Sequence, residues 1–235
     1  EAIDHVLVHT GQNYDYELNE IFFKDMELRK PDFFLNVDVS SLESSVGDII
    51  KKSGELLRRE KPDALLGLGD TNSCLSAYMA KRLHIPIFHM EAGNRSFDFN
   101  VPEEINRRII DHIADINLVY TEHARRHLIS EGLPHRRTYL TGSPMYEVLN
   151  HYRPKINASK ILSSLKLEEG KYFIVSVHRE ENVDNPENLE KILFILNKLA
   201  SDYNLPVVVS THPRTRKRLE SIPDKKMNQL IRFLK

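Results

Sequence analysis

The sequence predicts an α/β protein with parallel sheets, because short apolar runs alternate with amphipathic helical segments along the chain. The runs DALLGLG (63–69), Ile85 to Phe88 and KYFIVSV (171–177) are typical of strands buried in a parallel sheet. Each run is followed by polar or charged residues, close to the point where a helix is expected to begin. Ligands of open α/β sheets bind at this carboxyl edge, so the pattern also predicts where a functional site lies.

Length and charge narrow the possible partners. The chain of 235 residues has room for one large or two modest domains. Its formal net charge is −1, from 33 basic and 34 acidic side chains that are mixed along the sequence. Such a balance gives no electrostatic reason to expect nucleic acid or a membrane surface as a partner. A phosphate group would have to be bound by a local cluster of basic side chains.

Cysteine content and hydropathy bear on the compartment. Cys74 is the single cysteine, and it lies beside an apolar helical pattern. A structural thiol in a reducing compartment is therefore favoured over a catalytic one. No apolar run approaches the roughly 20 residues of a membrane span. We accordingly predict a cytoplasmic protein.

The predicted elements divide into two domains, residues 1–150 and 158–235, with a linker at residues 151–157 that contains Pro154. In the first domain we predict strands at 6–9, 32–37, 63–69, 85–88, 116–120 and 138–141, and helices at 16–23, 46–57, 75–83 and 103–113, with one more after Thr121. In the second we predict strands at 171–177 and 205–211 around a helix at 186–200. The chain opens on a strand and closes at or within another, so both domains are expected to be incomplete.

Charged groups are dense in the segment from Ile85 to Arg108. Glu91 is expected at the carboxyl end of a buried strand, where a carboxylate without a partner would be costly. Pro102 begins a helix that places Glu103 and Arg107 on one face, four residues apart. Two carboxylates and a guanidinium therefore face a common crevice. For Glu104 and Arg108, by contrast, a solvated surface contact is the favoured interpretation.

Two other strand ends on the same edge carry candidate groups. Asp70 follows the strand at 63–69, and it serves either as a helix N-cap or as a functional carboxylate beside Glu91. The turn from Thr10 to Asn13 could present Gln12 to a ligand, although turn chemistry alone explains its composition.

The second predicted domain offers basic groups at its strand ends. His178 and Arg179 follow the strand at 171–177, and His212 with Arg214 follows the strand at 205–211. Arginine has a planar fork of donors that suits a diphosphate, and histidine can donate or relay a proton. We therefore expect a diphosphate to bind there.

Five motifs together carry a family resemblance. They are GDTNS from Gly69, HMEAGNR from His89, VPEEINR from Val101, TGSPM from Thr141 and VHREEN from Val177. In this order and spacing they resemble the non-hydrolysing UDP-N-acetylglucosamine 2-epimerases over nearly the whole chain. The residues around HMEAGNR are most similar to those of the capsule-related branch that acts on UDP-N-acetyl-L-fucosamine.

The resemblance implies a fold and a reaction. The fold is a pair of Rossmann-like domains of the GT-B type, with the nucleotide sugar in the cleft between them. In the reaction the C2 proton is removed and UDP is eliminated to give a 2-acetamidoglycal. UDP then adds back while a proton returns to C2 from the opposite face. The resemblance further implies a homodimer, no metal and no nicotinamide cofactor, and a role in making precursors of cell-surface polysaccharide.

Residue roles follow by motif from the same resemblance. The implied catalytic residues are Asp70, Glu91, Glu103, Arg107 and His178. The implied substrate-binding residues are Gln12, Arg95, Arg179 and His212. Most of the family's amino-terminal Gly-Thr-Arg-Pro-Glu loop and its later phosphate and ribose contacts have no counterpart here, so the chain by itself is expected to be inactive.

Three alternatives stay open at this point. A GT-B glycosyltransferase would share the domains and the cleft, but it explains fewer of the carboxylates. A hydrolysing epimerase would release free sugar and UDP. A truncated module could bind a UDP-sugar without turning it over.

Overall fold

The structure is a computed structural model that describes residues 3–11, 20–177, 185–211 and 227–234. It divides into two compact units, Glu1–Tyr152 and Arg153–Lys235. The boundary falls inside the predicted linker at 151–157. These linker residues are helical, since they end the helix Met145–Asn157, which has Pro154 in its interior.

The first unit follows the predicted alternation of strands and helices. Its elements are β1 (Val8–His9), α1 (Glu20–Asp25), β2 (Phe33–Phe34), α2 (Leu42–Glu60), β3 (Leu65–Leu68), a 3₁₀ turn (Asn72–Leu75), α3 (Ser76–Arg82), β4 (Ile87–Ala92), α4 (Pro102–Ile113), β5 (Ile116–Val119), α5 (Glu122–Ser130), a 3₁₀ turn (His135–Arg137), β6 (Thr138–Leu140) and α6 (Met145–Asn157). Helix starts obey local rules. Ser41 and Thr121 accept hydrogen bonds from the amides of Ser44 and Ala124 at the starts of α2 and α5.

Every strand pair in the described part of this unit is parallel. β1 pairs with β2, and a separate four-stranded sheet has the order β3-β4-β5-β6. The two sheets are joined where their strands end, because the hydroxyls of Thr10 and Ser73 lie 2.7 Å apart. Because β3, β4 and β5 are neighbouring parallel strands, their carboxyl ends lie side by side, as the sequence predicts.

Helices pack on one face of the four-stranded sheet. Ile87 and Ile110 are fully buried there, together with small residues of α3 such as Ala77 and Ala80. The other face is open at β3, which was predicted to be fully buried. Leu66 and Leu68 are 64% and 63% exposed, because the helices that the structure describes cover the face formed by residues 65 and 67.

The second unit contains the end of α6, α7 (Ile161–Ser164), β7 (Phe173–Ser176), α8 (Pro186–Tyr203), β8 (Val207–Ser210) and β9 (Ile231–Leu234). Its strands form a parallel sheet of order β7-β8-β9. Leu189, Leu193 and Leu196 of α8 pack against Val207 and Val209 to form its core. The α/β class with parallel sheets is confirmed for both units.

Candidate active site

A cluster of charged groups occupies the carboxyl edge of the four-stranded sheet. Arg107 on α4 donates one hydrogen bond to the carboxylate of Asp70, which follows β3, and another to the backbone carbonyl of Glu91. The Arg107 guanidinium also lies 3.8 Å from the Glu91 carboxylate. The arginine side chain is only 9% exposed, whereas those of Asp70 and Glu91 are 18% and 36% exposed. The two carboxylates therefore remain reachable from solvent around a covered cation.

Glu91 has an unusual backbone. It lies inside β4 at a break in register, where Met90 pairs with Leu118 and Ala92 with Val119, so Glu91 is an extra residue in the ladder. Its φ of 64° is uncommon for a residue other than glycine. Bulges and left-handed residues of this kind concentrate at functional sites, where they direct a side chain away from the regular sheet.

Gly69 makes room for the same carboxylate. A Cβ atom added to Gly69 would lie 3.3 Å from Oε2 of Glu91, which is a tight contact. The Asn94 amide lies 3.4 Å from Oε1 of Glu91 and gives it a weak additional donor. The glycine of GDTNS and the glutamate of HMEAGNR thus fit together as one local structure.

The helix that carries Arg107 is fixed to the end of β3. Asn106 donates to Asn72 in the 3₁₀ turn, with 2.9 Å between the two side-chain atoms. Asp70 does not act as the helix cap, because its carboxylate is bonded to Arg107 and the capping residue is Thr71. Cys74 lies buried behind this contact, and burial raises the pKa of its thiol to about 12. A thiol of this kind stays protonated, in agreement with the predicted structural role.

The helix α4 presents its two glutamates differently from the prediction. Glu104 is buried, and it accepts hydrogen bonds from the Ser96 amide at 2.8 Å and from Arg108 at 2.8 Å. Burial alone would raise the pKa of Glu104, but these hydrogen bonds outweigh it and hold that pKa below its ordinary value. The predicted solvated contact between Glu104 and Arg108 is therefore wrong. The carboxylate is an internal anchor for the loop before α4.

Glu103 is exposed in the first turn of α4. It shares a helix face with Arg107, as predicted, but among the described residues it makes no ion pair with Arg107 or any other cation. The structure thus brings Asp70, Glu91 and Arg107 together and leaves Glu103 at the rim.

Arg95 lies in a buried ion network. Its guanidinium bonds Glu131 through Nε and Nη2 at 2.8 and 2.7 Å, and Asp111 through Nη1 at 2.7 Å. Its side chain is 0% exposed, which leaves no face for a substrate. We therefore assign Arg95 a structural role in place of the predicted substrate contact.

Four predicted residues, Gln12, His178, Arg179 and His212, lie outside the described residues. The diphosphate site that was predicted from them stays a prediction.

Three residues near the cluster received no role from the sequence. His89 and Asp111 are fully buried behind it. Tyr120 follows β5 at the same edge, and burial followed by the charge of Glu91 raises the pKa of its hydroxyl. Asp111 lies one turn after Arg107 on the same helix, and that spacing was the available signal for it.

The cluster suits proton transfer. Carboxylates can accept and return protons, and the guanidinium between them can oppose negative charge that develops nearby. Among the described residues no group of three or more His, Cys, Asp or Glu could hold a metal ion. Within the same residues no helix is long and apolar enough to cross a membrane.

Comparison with known proteins identifies the family. The model for UDP-N-acetylglucosamine 2-epimerase matches residues 1–234. The chain belongs to the UDP-N-acetylglucosamine 2-epimerase family. Among curated relatives, it is 41% identical over 222 residues to a UDP-N-acetylglucosamine 2-epimerase homolog of Methanococcus maripaludis, covering 92% of this chain and 60% of the relative. It is also 34% identical to the UDP-2,3-diacetamido-2,3-dideoxy-D-glucuronate 2-epimerase of Pseudomonas aeruginosa, covering 98% of this chain and 65% of that enzyme.

Solved structures of the family share the fold. The UDP-N-acetylglucosamine 2-epimerase of Rickettsia bellii is 56% identical with a TM-score of 0.89, and the match covers 98% of this chain and 61% of that one. The enzyme of Methanocaldococcus jannaschii, solved with UDP-GlcNAc and UDP, is 32% identical with a TM-score of 0.90, covering 100% of this chain and 66% of that one. The GT-B type of α/β fold is thereby confirmed. The chain spans about 60 to 65% of the length of the first curated relatives.

Proposed function

We propose that the whole protein is a non-hydrolysing UDP-N-acetylhexosamine 2-epimerase that interconverts UDP-GlcNAc and UDP-ManNAc. The observation that carries this proposal is the cluster of Asp70, Glu91 and Arg107 at the carboxyl edge of the sheet, in a chain of this family. Support for the substrate class comes from the Methanocaldococcus jannaschii relative, which was solved with UDP-GlcNAc.

The proposed reaction has two halves. A carboxylate of the cluster takes the C2 proton while the C1–O bond breaks, so that the C–H electron pair forms the C1=C2 double bond of the glycal and UDP leaves with the C1–O pair. In the second half, a phosphate oxygen of UDP attacks C1, and another group of the site, acting as an acid, delivers a proton to the opposite face of C2. Several carboxylates around one sugar provide for removal and return of the proton on different faces.

The roles divide by position. Asp70, Glu91 and Glu103 are the candidate acids and bases, and Arg107 fixes the first two and opposes their charge. His178, Arg179 and His212, which follow β7 and β8 in the sequence, are proposed to bind the diphosphate, and Gln12 to contact the substrate. We further propose a cytoplasmic homodimer that needs no cofactor and supplies precursors of capsular or other surface polysaccharide.

A second sugar remains a candidate. The sequence around HMEAGNR resembles that of the branch that acts on UDP-N-acetyl-L-fucosamine. The Pseudomonas aeruginosa relative is named as an epimerase of a UDP-diacetamido-glucuronate. Relatives at similar identity therefore carry the names of different sugars, and the C2 chemistry is what they share.

The test is NMR of candidate UDP-sugars incubated with the full-length protein in deuterated water. Deuterium at C2 together with the 2-epimer is the expected result, and the sugar that exchanges identifies the substrate. Release of free sugar and UDP would identify a hydrolysing enzyme. Transfer to an acceptor without C2 exchange would identify a glycosyltransferase. Binding of UDP by calorimetry with no exchange for any sugar would leave only a binding module.

A further inference from the structure

His89 on β4 is fully buried directly behind the candidate active site, and both of its ring nitrogens have partners. Its Nδ1 lies 2.8 Å from a carboxylate oxygen of Asp111, and its Nε2 lies 3.0 Å from the carbonyl oxygen of Gly69. Gly69 immediately precedes Asp70. The imidazole thus spans from helix α4 to the backbone that carries the first carboxylate of the cluster.

Asp111 holds the other two segments of the cluster. Its two carboxylate oxygens each lie 3.2 Å from the amide nitrogen of Gly93, two residues after Glu91. Asp111 itself lies one turn after Arg107 on α4, so it also fixes the helix that carries the guanidinium. The pair of His89 and Asp111 therefore connects the three backbone segments that bear Asp70, Glu91 and Arg107.

The partner of Nε2 determines where the imidazole carries hydrogen. A backbone carbonyl accepts hydrogen bonds and cannot donate them, so Nε2 must carry a proton to bond Gly69. The Asp111 carboxylate also accepts from Arg95 at 2.7 Å and from the amide of Gly93. One carboxylate therefore connects the imidazole, a guanidinium and the backbone that follows Glu91.

A wider ion network holds Asp111 in place. Asp111 pairs with Arg95, Arg95 pairs with Glu131, and Arg108 connects Glu131 to Glu104. His112, which contacts Glu131, is 47% exposed and lies at the solvent end of the network. Buried ions are tolerated when they are paired in this way.

We propose that His89, paired with Asp111, is a positioning residue that fixes the separation of the Asp70 and Glu91 carboxylates. This inference rests on the proposed epimerase function, because it concerns the two groups that are to handle the C2 proton. Proton transfer depends steeply on placement, and an error of about 1 Å can cost about 10²-fold in rate. His89 does not touch the sugar, so its loss should affect turnover more than binding.

The experiment compares His89→Gln and Asp111→Asn with the wild type in the full-length protein, using C2 exchange, UDP affinity and thermal melting. We expect turnover per folded molecule to fall about 10- to 100-fold while KM and UDP affinity change less than about threefold. His123→Gln, on the exposed surface of α5, is the matched control and should leave all three quantities unchanged. Folded variants with unchanged turnover would overturn the inference, as would losses confined to binding.

The contact between His89 and Gly69 is tested without any variant. In ¹⁵N NMR spectra of the wild-type protein, we expect Nε2 of His89 to carry a proton, because its partner is a carbonyl oxygen. An unprotonated Nε2 would overturn the inference while leaving the proposed function intact. Absence of C2 exchange in the wild type for every UDP-sugar would instead overturn the proposed function, and this inference with it.

Discussion

Among single residues, Arg107 has the most consequential contacts. Its guanidinium bonds the carboxylate of Asp70 and the backbone of Glu91, and it is almost completely covered. A buried guanidinium needs such partners, because an unpaired charge in the interior is costly. The partners in turn are held at a fixed distance from each other. Arg107 therefore converts two strand ends into one site.

The first prediction concerns the two carboxylates that Arg107 holds. In the full-length protein, Asp70→Asn and Glu91→Gln should each lower turnover by about 10²-fold or more, because an amide can neither take nor return a proton. Both substitutions keep the size of the side chain, so the fold should persist. C2 exchange and thermal melting measure the two effects. Loss of stability at unchanged turnover would show that the cluster is structural.

Glu103 and Glu104 provide a matched pair for the second prediction. Glu104→Gln should lower the free energy of unfolding by about 1–3 kcal/mol, since it weakens the buried hydrogen bonds to Ser96 and Arg108. Glu103→Gln should leave stability within about 0.5 kcal/mol and lower turnover, because its side chain is exposed and is assigned to catalysis. Denaturant unfolding and C2 exchange separate the two. Equal loss of turnover in both variants would refute the assignment of Glu103.

Glu131 gives the third prediction, on acid stability. A hydrogen bond from Arg95, with further contacts from His112 and Arg108, lowers the pKa of Glu131 to about 2 although burial opposes the shift. A carboxylate with a lowered folded-state pKa stabilises the fold above its ordinary pKa, and this contribution is lost as pH falls toward the folded-state value. After allowance for solvent screening, the contribution is about 1–2 kcal/mol.

The measurement compares unfolding of the wild type and Glu131→Gln between pH 7 and pH 2. The difference in free energy of unfolding should be largest above about pH 5 and should shrink as pH falls toward 2. Glu168→Gln is the control, because Glu168 is 70% exposed and pairs with Lys171 at the surface. A difference for Glu131 that is constant with pH would contradict the ion pairing described here.

At the scale of elements, the turn after β4 depends on close packing against α5. Gly93 has a φ of 78°, and a Cβ atom added to it would lie 2.4 Å from the carbonyl oxygen of Ala124. No rearrangement of a flexible side chain can relieve that contact, since the neighbour is backbone. The amide of Gly93 also donates to Asp111. The glycine of HMEAGNR is thus required by the approach of helix α5 to the turn.

The fourth prediction compares Gly93→Ala with Gly132→Ala. Both glycines have positive φ, but a Cβ atom at Gly132 would meet nothing within 4 Å. Gly132→Ala should therefore cost only backbone strain, about 1–2 kcal/mol in the free energy of unfolding. Gly93→Ala adds a steric clash and should cost more than about 3 kcal/mol. Denaturant unfolding provides the comparison. Similar losses in the two variants would show that the turn can move away from α5.

The order of elements could be predicted from the sequence because periodicity and caps are local signals. The strands β5 and β7 and the helices α2 and α4 lie where apolar spacing placed them. Strand β4 (Ile87–Ala92) begins two residues later than the predicted strand at 85–88 and ends four residues later, so that it includes Glu91. Burial of individual faces could not be predicted in the same way. Leu66 and Leu68 were predicted to be buried because they lie in an apolar run, but their exposure depends on what covers the second face of the sheet.

The site was predictable to a similar extent. Asp70, Glu91 and Arg107 meet because strand ends of a parallel sheet share an edge. The prediction that Glu104 makes a solvated surface contact was wrong. Glu103 and Glu104 each have an arginine four residues later, so spacing alone could not show which of the two is buried. The buried contacts of Arg95 could not be predicted from the sequence, since its partners Asp111 and Glu131 are 16 and 36 residues away.

At the scale of the whole molecule, apolar surface lies open in both units. In the first unit, one face of the four-stranded sheet is packed against helices. On its other face, Leu66, Leu68 and Tyr139 are 64%, 63% and 53% exposed. In the second unit, Ile174 of β7 and Phe194 of α8 are 75% and 67% exposed. Parallel sheets are normally covered on both faces, and contiguous apolar patches of this kind promote association.

The last prediction is that the 235-residue chain, expressed alone, self-associates and does not epimerise UDP-sugars. The exposed sheet face with Leu66 and Leu68 should bind a second copy of the chain, because such association removes this apolar surface from water. Light scattering should show oligomers that dissociate in the double variant Leu66→Thr, Leu68→Thr, and C2 exchange should be absent in both. The control is Ile3→Thr, which changes an exposed apolar residue outside the sheet and should leave the association unchanged. A monomeric wild-type chain that melts cooperatively and exchanges the C2 proton would show that the open face is tolerated and that these 235 residues suffice for the reaction.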